Sequence, residues 1–450
     1  MSDADRTRKR LLNFVSGHRF LKNVMMVSGG TAISQLIIVV SSPIISRIFS
    51  PRDFGIVAVY SSVLAILSPI ATLRFNFVIP IERDEEAAVN ALFTSFLLVF
   101  LSTFGVFCFV VIGSDLIVSI FDAEPLRSYM GLLSLGLFGI GCYATMMAWM
   151  LRRSNYRAIA RTKIAQGASQ TLSQIVLGLV GAGPIGLIVG TIIGQTTGVG
   201  TLFRQFLKAD RDLLRKTHFT KIIKVVKEYW KFSFLGSWSA ILSVAGIHLP
   251  VLILSSLYGA QVVGSFSFAS RIIALPMSLV GSSVEHVFYG EGAKYASSDP
   301  YRLLGLVKKT SKNLFRVALV LTIVFVPFGP WLFSAVFGFD WFEAGQYARW
   351  LSIMLLFRFP VQPVTEALEM LRRQGLRLQL SLFRIVLVAL SLYVPWKVGF
   401  QPLATVIVYV VCMIVVYSIT YLSIIRAIKQ RIREVEENVS GRIEIHRKDK

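Results

Sequence analysis

Charge is scarce in this 450-residue chain: 16% of its residues are Asp, Glu, Lys or Arg, where soluble domains carry about 25%. That shortage, with 54% apolar residues and a mean hydropathy of +0.64, excludes an ordinary soluble globule. Long polar connections are missing as well. No stretch between apolar runs reaches the roughly 50 residues of a small soluble domain. Cysteine is nearly absent, and Cys108, Cys142 and Cys412 all lie inside apolar runs. This excludes a disulfide framework or a cysteine metal site and makes them small core residues. Nor does the chain carry a nucleotide-binding loop, a metal-ligand cluster or a nucleophile–base pair at a recognisable spacing.

What is present is a succession of apolar runs close to the roughly 20 residues that cross a hydrocarbon layer. Twelve helices are expected, at 24–46, 54–79, 88–112, 128–151, 164–181, 184–204, 232–256, 262–289, 313–337, 344–371, 378–396 and 402–425. The first follows a basic start but has the length of a full span and no small-residue cleavage site, so no removable signal peptide is expected. Lys and Arg outnumber Asp and Glu by 47 to 25, and they sort by side. The connection after the fourth helix holds Arg152, Arg153, Arg157, Arg161 and Lys163, whereas 257–261 holds none. The positive-inside rule then places both termini in the cytoplasm. A net charge of +22 spread over short loops on one membrane face excludes a nucleic-acid partner and fits attraction to anionic membrane lipids. The acidic run ERDEEAA, Glu82 to Ala88, reads as a solvated loop.

One basic phrase is written twice. MLRRSNYR (Met150 to Arg157) and MLRRQGLR (Met370 to Arg377) each end an even-numbered helix. A second register, shifted by about 209, pairs residues 28–65 with 237–274, with matches that include Ser34/Ser243, Gly55/Gly264 and Ser61/Ser270. Two halves of six helices follow, and an even number makes the repeats parallel. The expected fold is therefore all-α and integral to the membrane, with about twelve helices in two pseudo-twofold-related lobes. The expected organisation is a basic N-terminal segment 1–23, a lobe over 24–206, a linker 207–231, a second lobe over 232–425 and a charged tail 426–450. The arginine pairs of the phrase read as cytoplasmic anchors, with an anionic lipid headgroup as the alternative ligand.

Intramembrane polar residues face a cavity or another helix. In the eighth helix Ser267, Arg271, Ser278, Ser282 and Glu285 share one face at 100° per residue. The first helix offers Ser28, Thr31, Gln35, Ser42 and Ser46; the seventh Ser233, Ser237 and His248; the fifth QGASQTLSQ, with Gln166 and Gln170. Hydrogen bonds between helices explain the Ser and Thr positions equally well. Of the arginines within spans, Arg74, Arg316 and Arg384 lie near helix ends and can snorkel. Arg271 and Arg358 sit deeper, where an unpaired guanidinium costs at least about 2.5–3.5 kcal/mol.

FSPRDFGIVAVYSSVLAIL after the first helix, LRFNFVIPIERDEEAAVNALFTSFLLV across the second and third, and LRRSNYRAIA after the fourth resemble the polysaccharide-biosynthesis flippases. These are O-antigen and exopolysaccharide translocases of the multidrug/oligosaccharidyl-lipid/polysaccharide exporter superfamily. The resemblance implies two six-helix lobes around a central cavity, in the bacterial inner membrane. It implies transport of an undecaprenyl-pyrophosphate-linked oligosaccharide to the outer leaflet by alternating access, with no cofactor beyond an H+ or Na+ gradient. A glycan polymerase and a chain-length regulator are the partners it implies. Arg271, Arg358 and Arg74, with Ser278, Ser282, Gln35, Gln166 and Gln170, are the residues here that suit a pyrophosphate and glycan cavity. Glu285, with neighbouring His286, would reach Asn76 or Arg74 as a gate or coupling contact. The middle of the first helix has no acid, so no coupling site carries over there. Two alternatives are a small-molecule exporter of the same fold, which mid-depth acids would favour, and a membrane polymerase or ligase. The latter needs reactive residues in an external loop, and the longest one, 113–127, offers Asp115, Asp122 and Glu124 without a histidine.

Overall fold

The computed structural model describes residues 26–121, 129–217, 219–276 and 281–448. The expected N-terminal segment 1–23 and Ser278 lie outside them, as do Asp122 and Glu124 of the external loop. Every regular element among the described residues is helical. α1 runs Met26–Val40 and continues, bent by 41°, as Ser42–Ile48. The bend precedes Pro43, whose missing N–H breaks the ladder, and Ser41 Oγ donates to Ile37 O at 2.7 Å. α2 is Pro51–Thr72, started by a capping box in which Ser50 and Asp53 bond reciprocally. α3 is Glu85–Phe121, α4 Gly131–Arg152 and α5 Tyr156–Leu179. α6 is broken into Pro184–Thr196 and Val199–Ala209 by Gly198 at φ 97°. α7 (219–258) and α8 (260–276) run together within Phe219–Pro276, separated by Gly259 at φ 81°. A further helix, Ser282–Ser298, comes next in the chain. α9 is Pro300–Phe337, α10 Phe342–Val361, α11 Gln374–Lys397 and α12 Pro402–Lys448.

The twelve expected helices have counterparts here, with several altered boundaries: α3 runs on to Phe121 rather than 112, α5 starts at Tyr156 rather than 164, α7 at Phe219 rather than 232, and α12 runs on to Lys448 rather than 425. α2 ends at Thr72 rather than 79 because Leu73 and Arg74 both turn left-handed, at φ 43° and 59°. α9 begins 13 residues early, at Pro300 instead of 313, because a charged face on solvent is no obstacle to helix once Asp299 caps Arg302 N. α10 ends at Val361 rather than 371, where Pro360 and Pro363 remove donors and a 3-10 segment Pro363–Glu366 follows. By length and composition eight described helices can cross a membrane, or nine with bent α1; α7 and α8 count together. α5 and α10 are not among them: α5 carries Gln166, Gln170 and Gln174 besides Lys163, and α10 carries Glu343, Arg349 and Arg358. The protein is an integral, multi-pass membrane protein.

Two compact units divide the chain, Met1–His248 and Leu249–Lys450. In unit 1 the core gathers Phe75, Ile79, Leu92, Trp149, Leu202 and Phe206 where the helix ends of the basic side meet. Small residues bring backbones together: a Cβ on Gly30 would lie 2.7 Å from Ala160 O, joining α1 to α5. In unit 2, Phe288, Leu303, Val364, Ile424 and Ile428 form the corresponding core, and Phe268 packs on Trp341 with centroids 4.2 Å apart.

The internal repeat has a register the sequence alone does not show. α4 ends in a Schellman turn, with Ser154 left-handed and Asn155 N bonded to Met150 O at 2.9 Å. The turn before α11 is the same, with Arg372 left-handed and Arg373 N bonded to Leu368 O at 2.8 Å. The left-handed residue is the fifth letter of the basic phrase in the first copy and the third in the second. The phrase therefore slides two residues along a shared backbone turn. Downstream the equivalence is strict: α5 and α11 are both 24 residues long. Each ends in another Schellman turn, at Gly181 and Gly399, and Pro184 and Pro402 open the helices that follow.

Candidate functional site

Two charged groupings of unit 1 bear on the candidate site. The first is the basic-side junction of α3, α4, α6 and α7. Arg153 grips Asp210 with Nη2 at 2.6 Å and Nε at 3.2 Å, and Glu85 with Nη1 at 2.7 Å. Trp149 Nε1 donates to the same Asp210 at 2.9 Å. Arg152 donates to the carbonyls of Ile79, Glu82 and Asp84. Tyr229 of α7 donates to Glu82 Oε2 at 2.7 Å, and Lys221 pairs with Glu86. The acidic run 82–88 is exposed at Arg83, Asp84 and Glu85, as a solvated segment is, and it also supplies the anionic half of a clasp. Its reason is geometric, since the Schellman turn of α4 aims both arginines back at the start of α3. The groups titrate accordingly. The hydrogen bond to Glu82, then burial, pushes the Tyr229 hydroxyl up to about 12. The backbone N–H of Ala87 holds Asp84 below its ordinary range, and Glu85 raises Arg153.

The second is Arg74. Its left-handed backbone costs on the order of 1–2 kcal/mol for a non-glycine residue. The guanidinium carbon lies 4.3 Å above the Phe77 ring, and the side chain passes alongside Gly236 of α7. Asn76 accepts a hydrogen bond from Thr72 Oγ1 at 2.8 Å. Gln35 is half-buried and has no hydrogen-bond partner among the described residues. Gln166 and Gln170 are engaged elsewhere. Gln166 Nε2 donates to Gln195 O at 3.1 Å, across the break of α6, and Ser169 Oγ donates to Thr197 Oγ1 at 2.8 Å. Gln170 packs where a Cβ on Gly194 would fall 2.6 Å away. The polar stretch of α5 therefore repairs the broken α6. His248 Nδ1 lies 3.1 Å from Ser62 Oγ, which ties α7 to α2.

In unit 2, Arg271 is half-buried and has no hydrogen-bond or ion-pair partner among the described residues. It lies about 17 Å along α8 at 1.5 Å per residue. Arg358 occupies the last turn of α10, with Nε 3.4 Å from Gln362 Oε1. The early end of that helix makes it shallower than a helix to 371 would. Arg384 joins it, since both guanidinium groups act electrostatically on the buried Tyr409 hydroxyl of α12, and Arg384 Nε is buried without a partner among the described residues. The sequence reading missed Arg384 as a companion of Arg358 because the two are on different helices. It also missed Arg349, whose Nε is likewise buried and unpartnered; its place within α10 was the available signal. Glu285 stands on the Ser282–Ser298 helix and acts on Glu366, which bonds Arg377 at 3.2 Å, with Glu369 on the same arginine. Burial first, then Glu369 and Glu285, raise the Glu366 carboxyl. The side chains of Ser282 and His286 lie outside the described residues.

Arginines are set into a polytopic helical bundle, and no group of three or more His, Cys, Asp or Glu that could hold a metal ion occurs among the described residues. The fold has known counterparts. It is similar, over 88% of this chain and 96% of the other, to an inward-facing multidrug resistance MATE family transporter of the MOP superfamily (TM-score 0.69, 18% identity). It is similar over 90% of this chain and 89% of the other to the lipid II flippase MurJ in an inward closed conformation (TM-score 0.69, 13% identity). Such neighbours are twelve-helix, two-lobe transporters. The chain belongs to the polysaccharide biosynthesis protein family, which its residues 44–346 match. It is 25% identical over 311 residues to the succinoglycan biosynthesis transport protein ExoT of Rhizobium meliloti (strain 1021). That match covers 67% of this chain, and 59% of the length of that relative.

Proposed function

We propose that this protein flips a lipid-linked oligosaccharide, an undecaprenyl-pyrophosphate-linked O-antigen or exopolysaccharide unit, across the bacterial inner membrane by alternating access. The observation that carries the reading is Arg271, a guanidinium inside a spanning helix with no partner among the described residues. A cation kept in that position at a cost of about 2.5–3.5 kcal/mol matches a cargo that brings its own anion, and guanidinium binds phosphate oxygens bidentately. Arg358 with Arg384, and Arg74, supply further cationic contacts at helix ends. Sugar hydroxyls and pyrophosphate are too costly to pass through hydrocarbon, while the prenyl tail stays in lipid. An H+ or Na+ gradient supplies the driving force and no cofactor is required. A glycan polymerase and chain-length regulator receive the product. The kinship with a succinoglycan transport protein supports the substrate class.

The test is translocation in proteoliposomes that hold the lipid-linked oligosaccharide, read by an impermeant glycosidase that trims only exposed headgroups. The Arg271→Ala, Arg358→Ala double variant is expected to lose at least about tenfold in rate, and the corresponding lysines to recover part of it. A double variant that flips at the wild-type rate sinks the reading. Collapsing the H+ and Na+ gradients in turn is expected to slow net transport for the coupling ion only.

A further inference from the structure

The two copies of the basic phrase do different things. In unit 1 both arginines are consumed: Arg153 by Asp210 and Glu85, Arg152 by three carbonyls. α6 makes this closure by stopping at Ala209, so that Asp210 turns beneath Trp149 and Arg153. In unit 2 neither condition holds. The arginines sit two residues later on the shared turn, at the left-handed position itself and the one after it. α12 does not stop but continues to Lys448. A cavity of about 450 Å³ results, with Arg372, Arg373, Arg431 and Glu434 around it and Met370 and Ala427 among its apolar walls.

Its charge does not close. Glu434 is shared, with Arg373 Nη2 at 3.1 Å and Arg431 Nη1 at 3.1 Å. The Arg372 side chain is exposed and has no hydrogen-bond or ion-pair partner among the described residues. Three guanidinium groups against one carboxylate leave two positive charges at a concave site. Its volume is that of small-ligand pockets, about 300–1,000 Å³. Guanidinium forks match tetrahedral oxyanions and hold them bidentately. We propose that this cavity is a phosphate-binding site, one that takes a phosphate or pyrophosphate group at the basic end of unit 2. It is made by the two-residue slide of the repeated phrase and by the continuation of α12. The group can come from the headgroup of an anionic lipid or from a soluble phosphorylated compound; the chemistry is shared and the source is separable.

The experiment uses the full-length protein in phosphatidylcholine nanodiscs, with and without phosphatidic acid, and inorganic pyrophosphate as the soluble probe. Saturable pyrophosphate binding in pure phosphatidylcholine supports the site with a soluble source. Thermal stabilisation that requires phosphatidic acid, with no pyrophosphate binding, supports it with a lipid source. In either case the Arg372→Gln, Arg431→Gln double variant is expected to weaken the effect at least about tenfold. Lys308→Gln, another basic-side change away from the cavity, is expected to leave it unchanged. Glu434→Gln, which frees two guanidinium groups, is expected to tighten it. Arg372→Gln alone keeps the fold readable because that side chain is exposed. Absence of both effects overturns the proposal, as does binding that the double variant leaves intact or that Glu434→Gln weakens.

Discussion

Asp210 shows how much one carboxylate can organise. It is 8% exposed and receives two bonds from Arg153 and one from Trp149. Replacing it by Asn leaves the arginine with one countercharge, Glu85. The expected loss is about 1–2 kcal/mol, once screening at the partly exposed Arg153 is counted. Chemical unfolding in detergent measures it, with the exposed Asp212→Asn as a control expected within about 0.5 kcal/mol of wild type. Glu366 gives a pH signature of definite sign. Its folded carboxyl is raised, by burial first, so its contribution to stability is complete below the unfolded value near 4.3. That contribution is lost as pH rises through the folded value. The Glu366→Gln variant escapes this loss. Its melting temperature relative to wild type should therefore climb between pH 4 and pH 7, and a difference that is flat or falls over that range contradicts the assignment.

Among the elements, α9 and α10 pack through bare backbone. A Cβ on Gly345 would lie 2.5 Å from Pro330 Cα and 2.6 Å from Gly329 O, neither of which can swing aside. Gly345→Ala is expected to destabilise by about 1–3 kcal/mol through overpacking. Gly375→Ala, in α11 with nothing within 4 Å, is expected to be neutral or slightly stabilising, since alanine favours helix. Thermal unfolding of the pair side by side is the measurement; equal melting temperatures would mean the α9–α10 crossing is looser than its geometry. The same logic explains why α5 tolerates its glutamines. Gln166 and Gln174 donate into α6, at Gln195 O and Leu187 O, so the polar groups are satisfied between helices and not by water.

For the whole molecule, the basic phrase and its neighbours predict an orientation that chemistry can test. Arg152 and Arg372 should face the cytoplasm and Asp115 and Gly338 the outside. Cys108, Cys142 and Cys412 are free thiols, so they are first replaced by serine or alanine. Single cysteines at the four positions should then sort by labelling with an impermeant thiol reagent in intact cells. Labelling at 115 and 338 only is the expected pattern, and external labelling at 152 or 372 would reverse the charge argument.

Twelve helices in two halves were legible in the residues because burial in a membrane is a property of local composition. A run of twenty apolar residues has one low-energy arrangement in lipid, and each Lys or Arg reports its own depth. Arg271 was legible for the same reason, as a charge where none is cheap. What lay outside the sequence was every relation between distant residues. That Arg384 accompanies Arg358 around Tyr409, and that the acids at 82–86 clasp Arg152, Arg153 and Tyr229, depends on which helix ends meet. So does the early end of α10, which moves Arg358 into the last turn. The repeated phrase marks the boundary between the two kinds of knowledge. Its letters announced a duplication, but only the backbone showed that they slide by two residues on a common turn. Side-chain direction follows the dihedral angles at each position, and matching letters do not guarantee matching angles. Tertiary packing, where α6 stops and α12 continues, decided that one copy closes upon itself and the other opens a cationic cavity.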